Sequence, residues 1–182
     1  MNDSAALEHL LLERSVRRGD FVLASGQHSS YYIDCRLTTM SALGQRMIGR
    51  LGLAAIRRAG WAPASVGGLT MGADPVAYAI AAASAADPEP IDAFSVRKEA
   101  KTHGTMRPIE GNFAAGDEVV IVEDVITSGT SAMQAVEAVQ AAGGKVVGVF
   151  SVVDRQQGGR EKIEAAGINV VSLTTSRALG LS

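Results

Sequence analysis

Two long apolar runs constrain the fold of this chain more than any other feature. They are VVIV at 119–122 and VVGVFSVV at 146–153, and neither run alternates apolar with polar residues. A strand that is apolar on both sides must be covered on both faces, as in a parallel sheet flanked by helices. Because a helical pattern of apolar residues follows the first run, the sequence predicts an α/β fold.

The remaining pattern predicts short strands and helices within one domain, 1–182. The chain has 182 residues, 47% of them hydrophobic, which is enough for one packed domain and too little for two. A first helix is expected from the capping residues 2–4 to Gly19, followed by a hairpin of FVLAS and YYIDC. The stretch 98–116 has no clear periodicity, which is typical of a functional or disordered loop. Further helices are expected at 41–59, 75–86, 131–144 and 159–167, and strands at 64–68, 92–97, 118–124, 145–154 and 168–173.

The charge balance and the cysteine count exclude several classes of protein. Lys and Arg number 17 and Asp and Glu 19, so no overall field recruits nucleic acid or an anionic membrane. No segment has the pattern of a secretory signal or a membrane span, and we expect a soluble, cytoplasmic protein. Cys35 is the single cysteine, which excludes an internal disulfide, and its apolar neighbours in YYIDC indicate a buried residue.

The segment VVIVEDVITSGTSAMQAVEAV, 119–139, carries the strongest functional pattern. Glu123 and Asp124 end a strand at its carboxyl edge, where open parallel sheets bind their ligands. The small residues 127–131 then lead into a helix, so backbone N–H groups and hydroxyls can hold a phosphate there. A ligand such as ribose 5-phosphate offers both a phosphate and hydroxyl donors. Alternatively, Ser128 or Thr130 merely caps the helix and the two acids face solvent. The Walker and GxGxxG motifs are absent, which argues against the usual nucleotide- and dinucleotide-binding sites.

A second segment, VRKEAKTHGTMRPIEG at 96–111, concentrates positive charge in a nearly neutral chain. Such a loop can bind a polyanion such as pyrophosphate, neutralise a leaving group and donate a proton when closed. A solvated surface loop whose charge is balanced by neighbouring glutamates fits the sequence equally well. The basic residues within eleven positions are Arg97, Lys98, Lys101 and Arg107, with His103 among them.

Two weaker patterns lie after other strands. GGLTMGADPVA at 67–77 joins a strand to a helix through glycines, which let a backbone approach a ligand or simply form a tight turn. Arg155 follows a strand in VVDRQQGGR. Its guanidinium can pair with a ligand carboxylate, and a surface ion pair is the equal alternative.

Taken together, these motifs resemble the type I phosphoribosyltransferase family. VVIVEDVITSGTS is similar to its phosphoribosyl pyrophosphate signature, and VRKEAKTHG is similar to the flexible catalytic loop of orotate phosphoribosyltransferases. ASGQHSSYYID, GGLTMGADPVA and VVDRQQGG extend the resemblance, in order, over nearly the whole chain. The implied fold has a central, mainly parallel sheet flanked by helices, a small N-terminal hood and a flexible catalytic loop.

The resemblance also implies a reaction and a role for each motif residue. The 5-phosphoribosyl group passes from phosphoribosyl pyrophosphate to orotate with Mg²⁺, giving orotidine 5′-phosphate and pyrophosphate in pyrimidine biosynthesis. No side chain is assigned as a metal ligand. The implied catalytic residues are Lys101, His103 and Asp124. The implied phosphoribosyl pyrophosphate contacts are Arg97, Lys98, Lys101, His103, Glu123, Asp124, Val125, Ile126, Thr127, Ser128, Gly129, Thr130 and Ser131. The implied orotate contacts are Thr127, Arg155, Tyr32 and Ile33.

The resemblance implies a homodimer with shared active sites, because the family's catalytic loop extends into the neighbouring subunit. Ala24 and Gly72 stand where many relatives carry lysine, so pyrophosphate binding would depend more on the loop at 97–103 and on Mg²⁺. Two alternatives stay open at this point. A phosphoribosyltransferase for another base is disfavoured by that loop and by Arg155. A regulator that senses phosphoribosyl pyrophosphate would need a basic nucleic-acid-binding face.

Overall fold

A six-stranded sheet forms the centre of the structure. The computed structural model describes residues 3–22, 28–98 and 108–181. The strands are β1 (Val16–Val22), β2 (His28–Ile33), β3 (Ser65–Leu69), β4 (Asp92–Val96), β5 (Ile109–Gly111), β6 (Glu118–Ile126), β7 (Lys145–Asp154) and β8 (Val170–Thr175). The helices are α1 (Asp3–Arg14), α2 (Arg36–Thr39), α3 (Ala42–Arg58), α4 (Ala73–Ser84), α5 (Thr130–Ala141) and α6 (Gly159–Ala165).

The central sheet is parallel except at one edge. Its strand order is β5-β4-β3-β6-β7-β8, and of the pairings described within this sheet only that of β4 with β5 is antiparallel. The predicted α/β fold with a mainly parallel sheet is therefore confirmed. Because β6 lies in the middle, its carboxyl end is flanked by the carboxyl ends of the parallel strands β3 and β7.

Strand β6 is covered on both faces, which explains its uninterrupted apolar sequence. Val120 and Val122 belong to one buried cluster, which includes residues of α3 and α4. Val119 and Ile121 belong to a second cluster, which includes residues of α5. Successive side chains of a strand point to opposite faces, so each layer of helices needs its own set of apolar residues.

The expected N-terminal hairpin is present as β1 and β2, which form a separate two-stranded sheet. The expected helix to Gly19 is too long, however, because α1 ends at Arg14. Val16 instead pairs with Ile33 of β2 and packs against the core. Its apolar side chain fits the helical period of α1 and the hairpin equally, and pairing with β2 decides between them.

Three further local features differ from the sequence prediction. Ile109–Gly111 is an edge strand inside the stretch 98–116, and three residues are too few to show a period. The short helix α2 was not expected. Helix α4 begins at Ala73, ahead of Pro75, because the first turn of a helix tolerates a proline that lacks an N–H.

Cys35 is buried between the hairpin and α2, as the sequence predicted. Burial raises the pKa of its thiol well above the usual value, and the negative charges of Asp124 and Asp34 raise it further. The thiol is therefore neutral and unreactive at physiological pH. No helix within the described parts of the chain combines the length and the apolar character needed to cross a membrane.

We predict that Phe150→Ala lowers the free energy of unfolding by about 3–5 kcal/mol, because it leaves a cavity in the core. Phe150 is fully buried and lies between the sheet and the helices on one face. Urea unfolding measures the loss. The control Leu12→Ala, at a half-exposed position of α1, is expected to cost less than about 1 kcal/mol. Equal losses in the two variants would contradict this assignment of the core.

Candidate active site

The carboxyl ends of four strands meet at one edge of the central sheet. Strands β3, β4, β6 and β7 run parallel, so the segments that follow them share this edge. These segments are 70–72, 97–98, 127–129 and 155–158. Ligands of open parallel sheets bind at such an edge. Of the residues that the sequence singled out, these segments contain Arg97, Lys98, Thr127, Ser128, Gly129 and Arg155.

Two acidic residues lie within β6 just before its end. Glu123 and Asp124 were expected to end the strand, but β6 continues to Ile126. Their side chains are not solvent-facing, since Glu123 is 6% and Asp124 9% exposed. The Oδ1 atom of Asp124 accepts a hydrogen bond of 2.8 Å from the Val125 N–H. Glu123 Oε1 is buried and has no hydrogen-bond partner among the described residues.

Burial also changes how these two carboxyl groups ionise. It raises the pKa of Glu123 from the ordinary 4.5 to about 8, with the neighbouring charge of Asp124 acting in the same direction and Lys98 in the opposite one. Burial likewise raises the pKa of Asp124, while the Val125 N–H and the charge of Arg36 act to lower it. Glu123 is therefore largely protonated at neutral pH in the free protein.

A glycine turn joins β6 to α5 and lines a small cavity of about 80 Å³. Gly129 precedes the first residue of α5 with φ of 71°, a left-handed conformation that favours glycine. Hydroxyl side chains surround the turn, and the Ser128 and Thr130 oxygens lie 3.1 Å apart. The Lys162 Nζ atom donates to Thr130 Oγ1 over 3.4 Å. The cavity thus combines the positive end of α5 with hydroxyl donors, which suits a phosphate.

The turn after β6 packs directly against the start of α6. A Cβ on Gly129 would lie 2.7 Å from the Gly159 carbonyl oxygen, and one on Gly159 would lie 2.4 Å from the Thr127 carbonyl oxygen. Only residues without side chains allow this backbone approach. The glycine turn and the segment 155–159 are therefore fixed relative to each other.

Arg155 follows β7 and is 7% exposed, so it does not form the surface ion pair that the sequence allowed. Its guanidinium carbon lies 4.9 Å from the centroid of the Tyr31 ring, within the range of a cation–π contact. The Nε and Nη2 atoms are buried and have no hydrogen-bond partner among the described residues. Buried guanidinium nitrogens normally have acceptors, so this arrangement points to an acceptor supplied by a ligand.

The hairpin covers this edge of the sheet through β2. Tyr31 and Ile33 are buried, while Tyr32 is partly exposed between them. The family resemblance implied Tyr32 and Ile33 as orotate contacts, but nothing in the sequence indicated that the Tyr31 ring lies beside Arg155. The only signal in the sequence for this contact was that Tyr31 directly precedes the predicted base-binding residues Tyr32 and Ile33.

Arg97 and Lys98 follow β4 and line a cavity of about 380 Å³ with Thr70, Ser95 and Glu110. Arg97 forms an ion pair of 3.4 Å with Glu110. Lys98 follows β4 at the same carboxyl edge as the end of β6, and its charge lowers the pKa of Glu123. Lys101, His103 and Ala24 lie outside the described residues.

Two features of the site were not foreseen. Arg36, at the start of α2, holds Asp34 with hydrogen bonds of 2.8 and 3.0 Å, and this pairing lowers the pKa of Asp34. Gly72 lies against Asp124, where a Cβ would be 2.7 Å from the carboxylate Oδ1. A lysine at position 72 would therefore require the Asp124 side chain to move. Arg36 directly follows YYIDC, and that position was its only sequence signal.

Another cavity, of about 570 Å³, lies at the opposite edge of the sheet. Its lining includes Trp61, Pro63, Pro88 and Ile91, which precede β3 and β4. It is remote from the acids, the glycine turn and Arg155, and it contains none of the predicted site residues. Across residues 3–22, 28–98 and 108–181, no three His, Cys, Asp or Glu side chains are grouped so as to hold a metal ion.

Comparison with known proteins identifies the class. The phosphoribosyl transferase domain model matches residues 46–174. A Mycobacterium avium orotate phosphoribosyltransferase is 49% identical over 177 residues, covering 96% of this chain and 95% of that protein. One from Rhodopirellula baltica is 44% identical over 183 residues, covering 98% of this chain and 95% of that protein. The structure of Mycobacterium tuberculosis orotate phosphoribosyltransferase in complex with phosphoribosyl pyrophosphate matches with a TM-score of 0.84 at 44% identity, covering 99% of this chain and 100% of that one.

The chain therefore belongs to the phosphoribosyl transferase family. Its relatives over nearly the full length are orotate phosphoribosyltransferases, and its phosphoribosyl transferase domain makes it an enzyme of pentosyl transfer. The family resemblance drawn from the sequence motifs is thereby confirmed.

The raised pKa of Glu123 predicts a pH-dependent contribution to stability. Between the ordinary pKa of 4.5 and the folded value of about 8, the folded protein holds a proton that the unfolded chain has lost. This contribution is therefore complete below about pH 4.5 and falls as the pH rises towards 8, by up to about 1.4 kcal/mol per pH unit.

Urea unfolding of the wild type and of Glu123→Gln at pH 5 and pH 8 measures this effect. The free energy of unfolding of the variant minus that of the wild type is expected to be larger at pH 8 than at pH 5, because the amide of the variant does not titrate. Comparing the two proteins at each pH cancels the titration of groups that do not interact with Glu123. A difference between them that stays constant from pH 5 to pH 8 would show that Glu123 has an ordinary pKa.

Proposed function

We propose that the site transfers the 5-phosphoribosyl group to orotate by using Arg155 to bind the carboxylate on the orotate ring. The observation that carries this proposal is the buried guanidinium, whose Nε and Nη2 atoms have no acceptor among the described residues. A planar carboxylate accepts two parallel hydrogen bonds from such a group. Orotate has this carboxylate, whereas uracil and the purine bases do not.

In this proposal, the phosphoribosyl half of the substrate occupies the end of β6. Residues 127–131 bind the 5′-phosphate with backbone N–H groups and hydroxyls, and Val125 and Ile126 contribute backbone contacts. Glu123 and Asp124 accept hydrogen bonds from the ribose hydroxyls. The buried, unpartnered Glu123 Oε1 supports this role, because a buried acceptor without a donor is costly unless a ligand supplies one. The *M. tuberculosis* relative was solved in complex with phosphoribosyl pyrophosphate.

The base then lies between the hairpin and the end of β7. Tyr32 and Ile33 offer backbone groups to the ring, and Thr127 contacts it from the phosphate turn. Arg155 binds the carboxylate while its other face remains against the Tyr31 ring, 4.9 Å away. Because 127–129 and 155–159 pack backbone to backbone, the two substrates are held at a fixed separation.

The pyrophosphate is assigned to the cationic residues Arg97 and Lys98, together with Lys101 and His103. Departure of pyrophosphate leaves positive charge on C1 of the ribose, and the ring nitrogen attacks from the opposite face. Cations neutralise the charge that develops on the leaving group, while Asp124 holds the ribose through this step. Closure of the basic loop keeps water away from the electrophilic carbon.

In this proposal, Mg²⁺ binds together with the pyrophosphate group of the substrate. The described residues fit a magnesium ion that the substrate carries, since Mg²⁺ commonly uses phosphate oxygens, water and one or two carboxylates. Glu123 and Asp124 are the carboxyl groups of the site that would hold it. When bound, the ion stabilises negative charge on the departing pyrophosphate.

We also propose that residues 1–182 form one domain, that two chains form a homodimer with shared sites, and that the protein is cytoplasmic. The N-terminal and C-terminal parts are joined by a hydrogen bond of 2.8 Å from Thr174 Oγ1 to Glu8 Oε1, which supports a single domain. The shared site follows from the basic loop, which in the family acts on the neighbouring subunit.

Arg155→Ala is expected to raise the KM for orotate about 10- to 150-fold, with a much smaller effect on the KM for phosphoribosyl pyrophosphate. Loss of a charge-assisted, bidentate contact accounts for roughly this factor. Steady-state kinetics with each substrate varied in turn measure both constants. Arg58→Ala, an exposed arginine of α3, is the matched control and should change neither constant. Equal increases for both substrates would remove Arg155 from the base site.

The shared site can be tested by mixing two inactive variants, Lys101→Ala and Asp124→Ala. After subunit exchange, each mixed dimer holds one site with both defects and one site with neither. A 1:1 mixture should therefore regain about a quarter of the wild-type sites by two-fold symmetry. With exchange verified by mass spectrometry, activity no greater than the sum of the two parents would show that the loop serves its own subunit.

A further inference from the structure

The turn 154–156, which carries Arg155, is hydrogen-bonded at each of its residues. The Asp154 carboxylate accepts from the Gln156 N–H and from Arg160 Nε, both at 2.8 Å. The Arg155 N–H donates to the Ile126 carbonyl over 2.9 Å, which ties the turn to the end of β6. The backbone position of Arg155 is thus fixed from several sides.

The segment that follows β8 holds the same turn from the other side. Ser176 donates its N–H to the Asp154 carbonyl and its hydroxyl to the Arg155 carbonyl, each over 2.9 Å. The Arg177 N–H donates to the Gln156 side-chain oxygen over 3.2 Å. Ser176 is 5% exposed, so its hydroxyl bond is protected from competing water.

The backbone conformation of the turn is unfavourable, and these contacts offset its free-energy cost. Gln156 has φ of 56°, and it is the only non-glycine residue with positive φ in the described part of the chain. Such a conformation costs about 1 kcal/mol or more and persists where the surroundings determine it. The hydrogen bonds from Ser176 and Arg177 are among those surroundings.

We propose that Ser176 is a positioning residue for orotate, because its hydroxyl holds the Arg155 carbonyl and thereby aims the Arg155 guanidinium at the orotate carboxylate. This inference rests on the proposed role of Arg155. A bidentate contact depends on the direction of the planar guanidinium, and an arginine side chain has several rotatable bonds. A fixed backbone at one end and the Tyr31 ring at the other restrict its direction before orotate arrives.

The test compares Ser176→Ala with Ser176→Thr and with a matched control, Ser84→Ala. Ser84 is also a buried serine whose hydroxyl bonds to backbone, at 2.8 Å to the Ile91 N–H and 2.9 Å to the Ala81 carbonyl, but it lies away from the site. Ser176→Ala should raise the KM for orotate about 3- to 10-fold, as expected for one lost hydrogen bond, and leave the KM for phosphoribosyl pyrophosphate within about 2-fold. Ser176→Thr keeps the hydroxyl and should restore the orotate KM. Ser84→Ala should lower the melting temperature and leave both constants unchanged.

A double-mutant cycle separates positioning from general stability. In an Arg155→Ala background, Ser176→Ala should cause no further increase in the orotate KM, because there is no guanidinium left to aim. The same increase in both backgrounds, or equal increases for both substrates, would overturn the proposal. If Ser176→Ala does not fold, Gln156→Ala removes the neighbouring bond to Arg177 and should give the same selective change.

The cycle also distinguishes two failures. An Arg155→Ala variant with an unchanged orotate KM would overturn the proposed function of Arg155, and the role of Ser176 with it. A large effect of Arg155→Ala, combined with no selective effect of Ser176→Ala and Gln156→Ala, would overturn only the positioning role.

Discussion

The parallel pairing of β6 with β7 is the constraint on which the site depends. Ile126 and Asp154 are partners in this ladder, so the two strands end at the same level. The glycine turn that follows β6 therefore begins beside Arg155, and the Arg155 N–H donates to the Ile126 carbonyl. The close approach of Gly129 and Gly159 completes the contact. A shift of this register would separate the groups assigned to the ribose phosphate from the group assigned to the base.

The site also buries a guanidinium and two carboxyl groups before any substrate arrives. Arg155 has unpaired guanidinium nitrogens, and burial raises the pKa of both Glu123 and Asp124. Such groups are costly in a folded protein and are concentrated at functional sites. Substrates that supply a carboxylate to the cation and hydroxyls to the acids offset this cost. The buried groups that lack partners in the free protein are thus the ones available to bind the substrates.

The sequence predicted most of the fold because its signals were local. VVIV and VVGVFSVV indicated covered parallel strands, and the two core clusters on either face of β6 explain why. The edge strand Ile109–Gly111 could not be predicted, because it is set by pairing with β4 rather than by its own three residues. The same applies to Val16, whose helical spacing was overridden by the hairpin.

The sequence predicted candidate site residues but not their surroundings. The pattern at 123–131 indicated the two acids and the glycine turn, and the family resemblance implied a role for Arg155. Neither indicated that Arg155 is buried against Tyr31, that Gly72 abuts Asp124, or that Ser176 bonds to the Arg155 carbonyl. These contacts join residues far apart in the chain, and only the folded structure brings them together.

The central claim is that a buried guanidinium selects a base with a carboxylate. An ultraviolet assay of base consumption by the wild-type protein, with phosphoribosyl pyrophosphate and Mg²⁺, tests it most directly when orotate is compared with uracil and adenine. Uracil is the sharper control, because it has the same ring without the carboxylate. We expect orotate to be consumed with a kcat/KM at least about 100-fold above that of uracil, as for a site left with an unpaired buried charge. Comparable consumption of uracil or adenine would contradict the account.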